Sequence, residues 1–275
     1  MGDIIKLSSP ATKQYWEIPV LFEDGDLLVL DKPSDLPAVQ SYSDVETVNL
    51  LALLRRDIEN NATWVRSRPQ IPLLDILYIL DPETTGVLAF TKTKIAHDFL
   101  ANFLGSEKPF RVFHTLVHGV PREPSIKLNA GITPHPARHG LMKVDVKRGK
   151  KAITHFSLLE SFNHYSYLQC TPITDRFAQI RAHLRYIKCP IVCDTLYFGK
   201  PLYLSSIKPK YHPSRKHDER PLIARTALHC SEIRIPHPST GEQILIEAPL
   251  AKDINVALKM LRRYDKQFSS VRYRR

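Results

Sequence analysis

Strand-like and helix-like runs follow one another in this chain without regular alternation, and that irregularity excludes a doubly wound parallel sheet. Short apolar runs at residues 21–22, 27–30, 74–80, 86–91, 111–118, 151–160, 165–172, 226–235 and 243–248 read as strands bounded by turn residues. Helical periodicity is confined to residues 48–58, 177–186, 254–263 and a stretch opened by Thr93 as N-cap, with Ala96, Phe99, Leu100 and Phe103 on one face. The acidic turn Glu23-Asp24-Gly25-Asp26 joins the first two strands, and Pro238-Ser239-Thr240-Gly241 fits a hairpin connection between the last two. The pattern predicts an α+β fold with a largely antiparallel, mixed sheet. Proline (21) outnumbers glycine (10), and no Gly/Ser-rich linker or repeat occurs, so stiff loops within one compact unit are expected.

With 275 residues, 43% of them apolar, the chain can bury a real core, which excludes a disordered polypeptide. Lysine and arginine (39) exceed the acids (28) by 11, a balance that favours a polyanionic partner, nucleic acid before anionic membrane. No apolar run approaches the ~18 residues a membrane span needs, and residues 1–20 lack the layout of a secretory signal. The four cysteines are too scattered for a disulfide framework and read as reduced thiols in a cytoplasmic protein. Cys189 and Cys193 lie near His183, but no second ligand pair has zinc spacing, so buried structural thiols and no metal are expected. Basic residues cluster at Lys143, Lys147, Arg148, Lys150 and Lys151, and again at Lys208, Lys210, Arg215, Lys216, Arg220 and Arg225. Tyr211, His212 and His217 interleave the second group, a mixture suited to phosphate contact and base stacking. The tail adds Arg262, Arg263, Lys266, Arg272, Arg274 and Arg275, which read equally well as RNA contacts or a frayed end.

Two residues are candidates for chemistry. Asp81 ends the apolar run at 74–80 and starts the turn Pro82-Glu83-Thr84-Thr85-Gly86, which would aim a carboxylate into a cleft; aspartate before proline is also a common turn starter. Arg181 stands on the short helix predicted at 177–186, either as a surface cation or as a guanidinium that keeps a carboxylate ionised.

Ordered motifs over residues 18–250 resemble those of the RluA-type pseudouridine synthases. Leu21-Phe22-Glu23-Asp24-Gly25-Asp26-Leu27-Leu28-Val29-Leu30-Asp31-Lys32-Pro33 is similar to that family's first segment. Leu80-Asp81-Pro82-Glu83-Thr84-Thr85-Gly86, followed by Thr91-Lys92, resembles its catalytic-aspartate motif. Arg111-Val112-Phe113-His114-Thr115-Leu116-Val117-His118-Gly119 resembles the strand that supplies a ring for the target base. Gln179-Ile180-Arg181-Ala182-His183-Leu184, Pro190-Ile191-Val192-Cys193-Asp194 and Tyr197-Phe198-Gly199 resemble the arginine motif and its sequel. Pro221-Leu222-Ile223-Ala224-Arg225, Ala227-Leu228-His229 and His237-Pro238-Ser239-Thr240-Gly241-Glu242 complete the series.

The resemblance implies a catalytic domain at 18–250, built on a split sheet with an RNA cleft between two lobes. Residues 1–17 would be an extension too short for the S4-type RNA-binding module of many relatives, and 251–275 a basic helix and tail. The implied activity isomerises a uridine in structured ribosomal or transfer RNA to pseudouridine, without cofactor or metal, with a monomer as the family's default. Asp81 and Arg181 would be the catalytic pair, Phe113 would stack on the uracil, and Leu80, Ile180, Ile79 and Thr85 would complete the substrate pocket. The chain departs from the family at four places around that pocket. Tyr78-Ile79-Leu80 replaces His-Arg-Leu, leaving Ile79 as an apolar wedge where relatives place an arginine. Phe113 replaces a tyrosine, Asp175 a glycine and Ala178 a histidine. A non-catalytic RNA-binding or RNA-chaperone protein on the same fold is the alternative these changes favour; a glycosidase using Asp81 and Glu83 fits the charge less well.

Overall fold

The computed structural model describes residues 3–40, 48–68, 71–106, 108, 110–138, 140–211, 213 and 218–266. In chain order the elements are β1 (Ile4–Ser8), β2 (Tyr15–Glu23), β3 (Leu27–Lys32), α1 (Leu50–Glu59), α2 (Thr63–Arg66), β4 (Asp75–Ile76), β5 (Thr85–Thr91) and α3 (Lys94–Leu104). They continue as β6 (Arg111–His118), β7 (Ser125–Asn129), β8 (Ile132–Pro134), β9 (Met142–Val144), β10 (Ile153–Ser161) and β11 (Tyr165–Pro172). The last are α4 (Gln179–Tyr186), β12 (Leu228–Pro236), β13 (Gln243–Glu247) and α5 (Lys252–Tyr264). Strands dominate and helices are few, so the class is α+β, as the irregular alternation predicts. The chain divides into two compact units, Met1–Val112 with His229–Pro249, and Phe113–Leu228 with Leu250–Arg275.

In the first unit the strand order is β1-β2-β3-β5-β12, with β4 on β5 and β13 on β12. All pairings are antiparallel except β5 with β12, which makes the sheet mixed. β3 and β5 are its centre: Leu27 to Leu30 and Val87 to Phe90 are fully buried on both faces, which is why these segments read as continuous apolar runs. β1 and the first half of β2 instead alternate, turning Ile5, Leu7, Trp16 and Ile18 inward. Thr93 caps α3 by accepting from the Ala96 N–H at 3.1 Å, and Asn49 caps α1 by accepting from Ala52 at 2.9 Å. The β12–β13 hairpin turns at Gly241, whose φ of 72° is a left-handed conformation that suits glycine.

The second unit is an antiparallel array in the order β6-β11-β10-β7, with β8 and β9 forming a separate pair. Register places Phe113 opposite Cys170 and Thr115 opposite Leu168, and this face, continued by Thr154 and Phe156, is buried. Helix α4 packs against β9, β10 and β11, with Ala178, Ala182 and Tyr197 closing a small core with Ile132, Leu141 and Ala152. Helix α5 buries Ile254, Ala257, Leu258 and Leu261 at helical spacing and exposes its cations.

Two expectations change. The run at 74–80 is not a full strand: only Asp75 and Ile76 pair with β5. The chain leaves the sheet after Leu77, and the Tyr78 hydroxyl takes over by donating to the Val87 carbonyl at 2.8 Å, so Asp81 sits in a turn and not at a strand end. Arg225, placed above among RNA-facing cations, is buried and bidentate to Asp253 at 2.8 and 2.9 Å, tying the chain to α5. Of the remaining cations and rings, His212, Arg215, Lys216, His217, Arg272, Arg274 and Arg275 lie outside the described residues. No helix among the described residues is long and apolar enough to cross a membrane.

Candidate active site

Asp81 stands at the head of a turn closed by the Thr84 N–H donating to its own carbonyl at 2.9 Å. The turn is held from β3. Lys32 is fully buried, and its ammonium donates to the carbonyls of Pro33, Leu36 and Pro82 at 2.7, 2.9 and 2.8 Å. A buried ammonium is costly unless its donors are satisfied, so these bonds pin the turn after Asp81 to the loop after β3. Beyond the turn, Thr85 is buried and its hydroxyl bonds the His229 Nδ1 at 2.9 Å. Gly86 has a φ of 104° and lies so close to the Cys230 carbonyl that a Cβ would overlap it. That approach, available to glycine alone, lets β5 pair with β12 at Thr85 and Gly86, where the turn begun by Asp81 ends.

The residues before Asp81 alternate in burial. Tyr78 is packed under the Arg111 guanidinium, 4.7 Å from its ring, and Leu80 is buried, whereas Ile79 is 56% exposed. An isoleucine so exposed beside a partly buried carboxylate is available to another molecule. Nearby on β3, burial pushes the Asp31 carboxyl up to about 6.

Phe113, Ile180 and Arg181 lie in the second unit. Phe113 and Ile180 are buried, at 4% and 6% exposure. Arg181 is bidentate to Asp194, Nε and Nη2 each 2.7 Å from a carboxylate oxygen, and its guanidinium lies 4.8 Å from the Tyr197 ring centroid. Asp194 is almost wholly buried and also receives the Tyr197 N–H at 3.3 Å, so carboxylate, guanidinium and ring form one rigid stack.

Helix α4 is anchored by a polar network. His183 Nε2 is 2.9 Å from the Ala130 carbonyl, which only accepts, so Nε2 carries the proton and Nδ1 accepts from the Thr154 hydroxyl at 2.9 Å. Gln179 donates to Thr154 Oγ1 and to the Ile153 carbonyl, and accepts from the Thr174 hydroxyl. Burial holds the His183 imidazole below its ordinary value, in keeping with a neutral ring. Ala178, in the histidine-to-alanine departure, adopts the left-handed conformation at φ 50° and gives α4 no side-chain cap.

Thus Ile79, Leu80, Asp81 and Thr85 belong to the first unit, and Phe113, Ile180 and Arg181 to the second. Sequence reasoning assigned no role to Lys32, Asp194 or Tyr197. All three lie in the quoted motifs, and the available signal was an acid and a ring one short loop beyond an arginine. No group of three or more His, Cys, Asp or Glu that could hold a metal ion occurs among the described residues. Cys189 is buried, and the Cys193 thiol donates to the Ile223 carbonyl.

Residues 26–186 match the family model described as RNA pseudouridylate synthase, a span that contains all seven candidate residues. A Neisseria meningitidis serogroup B protein named ribosomal large subunit pseudouridine synthase D is 30% identical over 254 residues, covering 89% of this chain and 61% of the relative. The chain therefore spans about three fifths of that relative's length. A Pseudomonas aeruginosa protein of the same name is 31% identical, over 90% of this chain and 72% of the relative. Among solved structures, human RNA pseudouridylate synthase domain containing 4 superposes with a TM-score of 0.64 at 19% identity, covering 88% of this chain and 92% of that one, a likeness of fold. As the ordered motifs implied, and over more than half its length, the chain belongs to the RNA pseudouridylate synthase family, in its RluA-type branch.

Proposed function

We propose that the protein is an RNA pseudouridine synthase in which Asp81 is the essential carboxylate. The observation that carries the reading is a pinned aspartate turn inside the matched family span, with Lys32 on Pro82 and the Thr84 amide on the Asp81 carbonyl. A base within folded RNA is out of reach and must be flipped into a pocket, at a cost of a few kcal/mol. Ile79, exposed beside Asp81, would fill the gap that the flipped base leaves. The uracil would stack on Phe113, worth roughly 1–3 kcal/mol. Asp81 then acts at the ribose, as nucleophile or base, while the N1 glycosidic bond breaks and the base turns. A bond from C5 to the ribose replaces it, the C5 proton goes to solvent, and N1 gains a proton. Arg181, immobilised on Asp194 and Tyr197, is assigned the pairing with Asp81 that the motifs imply, which would favour the ionised carboxylate. Thr85, Leu80 and Ile180 are assigned to the walls of the uridine pocket.

The relatives' names point to large-subunit ribosomal RNA as the first substrate to try; transfer RNA, which the motif resemblance implied, is the second. The test is release of tritium from RNA labelled at uridine C5, comparing wild type with Asp81→Asn. Release by wild type, lost in Asp81→Asn with RNA affinity retained, is the expected result; full activity in the variant overturns the assignment. A non-catalytic RNA-binding protein is the second reading, favoured by Phe113, which lacks a hydroxyl for proton movement at the base. Salt-sensitive RNA binding with no release by wild type would select it.

A further inference from the structure

We propose that a groove in the second unit, lined in part by Tyr197, binds a single-stranded RNA segment flanking the modified nucleotide. This extends the reading above, since Tyr197 both underlies Arg181 and lines the groove. The groove has a volume of about 710 Å³ and is built from the β8–β9 hairpin, the end of α4 and the turn after Asp194. Its described lining includes Arg138, Lys143, Arg185 and Lys188 and no acidic side chain. Asp145, outside the lining, faces Lys143, but four cations against that one neighbouring carboxylate leave the groove positive, and a polyanion relieves the repulsion. Of the basic block at residues 143–151, Lys143 lines the groove.

The groove also holds an exposed ring. Phe198 is 52% exposed and has a φ of 68°, a left-handed conformation unfavourable to a bulky residue. A phenylalanine held in strained backbone yet left half in water gains little from burial. The Arg185 guanidinium lies 4.4 Å from its ring centroid and that of Arg138 lies 5.5 Å away. A half-exposed ring with two guanidiniums beside it presents what a single strand needs: a surface for one base and charges for its phosphates. A duplex offers its bases no such access, and an acidic protein segment would use the charges without the ring.

The binding probe is a fluorescein-labelled twelve-residue oligouridylate, measured by anisotropy over a salt series, with a twelve-pair RNA duplex as comparison. Each phosphate-binding cation contributes about 0.7 to the slope of log affinity against log salt for single strands, so Arg138→Ala with Arg185→Ala lowers it by about 1.4. Phe198→Ala weakens oligouridylate binding roughly five- to 150-fold at unchanged slope, the equivalent of about 1–3 kcal/mol of stacking. Phe198→Gly should weaken binding likewise while its Tm is unchanged or higher, because glycine removes the backbone strain. Wild-type affinity and slope in all variants overturns the proposal, as does equal loss of duplex binding. Both arms separate this site from the catalytic reading. Loss of binding in these variants, with no tritium release even by wild type, leaves the groove standing and removes the synthase. Tritium release with unchanged affinity and KM in the variants does the reverse.

Discussion

Replacing Asp194 by asparagine tests how the arginine of the candidate site is held. The carboxylate is almost wholly buried, and the guanidinium it binds is only 13% exposed, with two contacts of 2.7 Å. At an effective dielectric of about 20, charge centres about 4 Å apart attract by about 4 kcal/mol. Removing one member of a buried pair costs about 3–5 kcal/mol, because the survivor keeps its desolvation penalty. Asparagine sets an N–H₂ against one of the two arginine donors, so Asp194→Asn should lose about 3 kcal/mol in urea unfolding. The double replacement Asp194→Leu with Arg181→Met removes both charges and should recover most of that loss. Tritium release should be abolished in the double variant all the same. A single variant within about 0.5 kcal/mol of wild type refutes the reasoning. So does a double variant whose losses simply add, or one that still turns over.

Gly86→Ala should cost several kcal/mol by chemical denaturation, since its Cβ meets the Cys230 carbonyl at a φ that alanine disfavours; near-wild-type stability would show that β5 and β12 can separate without cost. His183 should titrate below 6.5 by NMR, and since its folded value is depressed, its stabilising contribution is complete above 6.5 and declines as pH falls; a midpoint at or above 6.5 would contradict a neutral His183 ring.

The strands legible in the sequence are those with longer apolar runs, β3, β5, β6, β10, β11, β12 and β13, and of β2 only residues 21–22. β1, β7, β8 and β9 were not. β7 is Ser-Ile-Lys-Leu-Asn with no fully buried position, and β8 and β9 are three residues each, too short for periodicity to register. Such strands exist because a neighbour supplies the hydrogen bonds: β10 for β7, and β8 and β9 for each other. The turn at Asp81 was visible from Asp-Pro and Thr-Thr-Gly, but its support by a buried lysine some 50 residues earlier was not.

Class, family and the residues proposed for chemistry follow from the sequence alone, because turn chemistry, apolar periodicity and ordered motifs are local properties of the chain. Which cations face RNA is a different matter. Arg181, Arg185 and Arg225 look alike in sequence, yet one is clamped on Asp194, one lies against an exposed ring, and one is buried on Asp253. A charge acquires its role from the dielectric around it and the partner within a few ångströms, and both are set by packing between segments far apart in the chain.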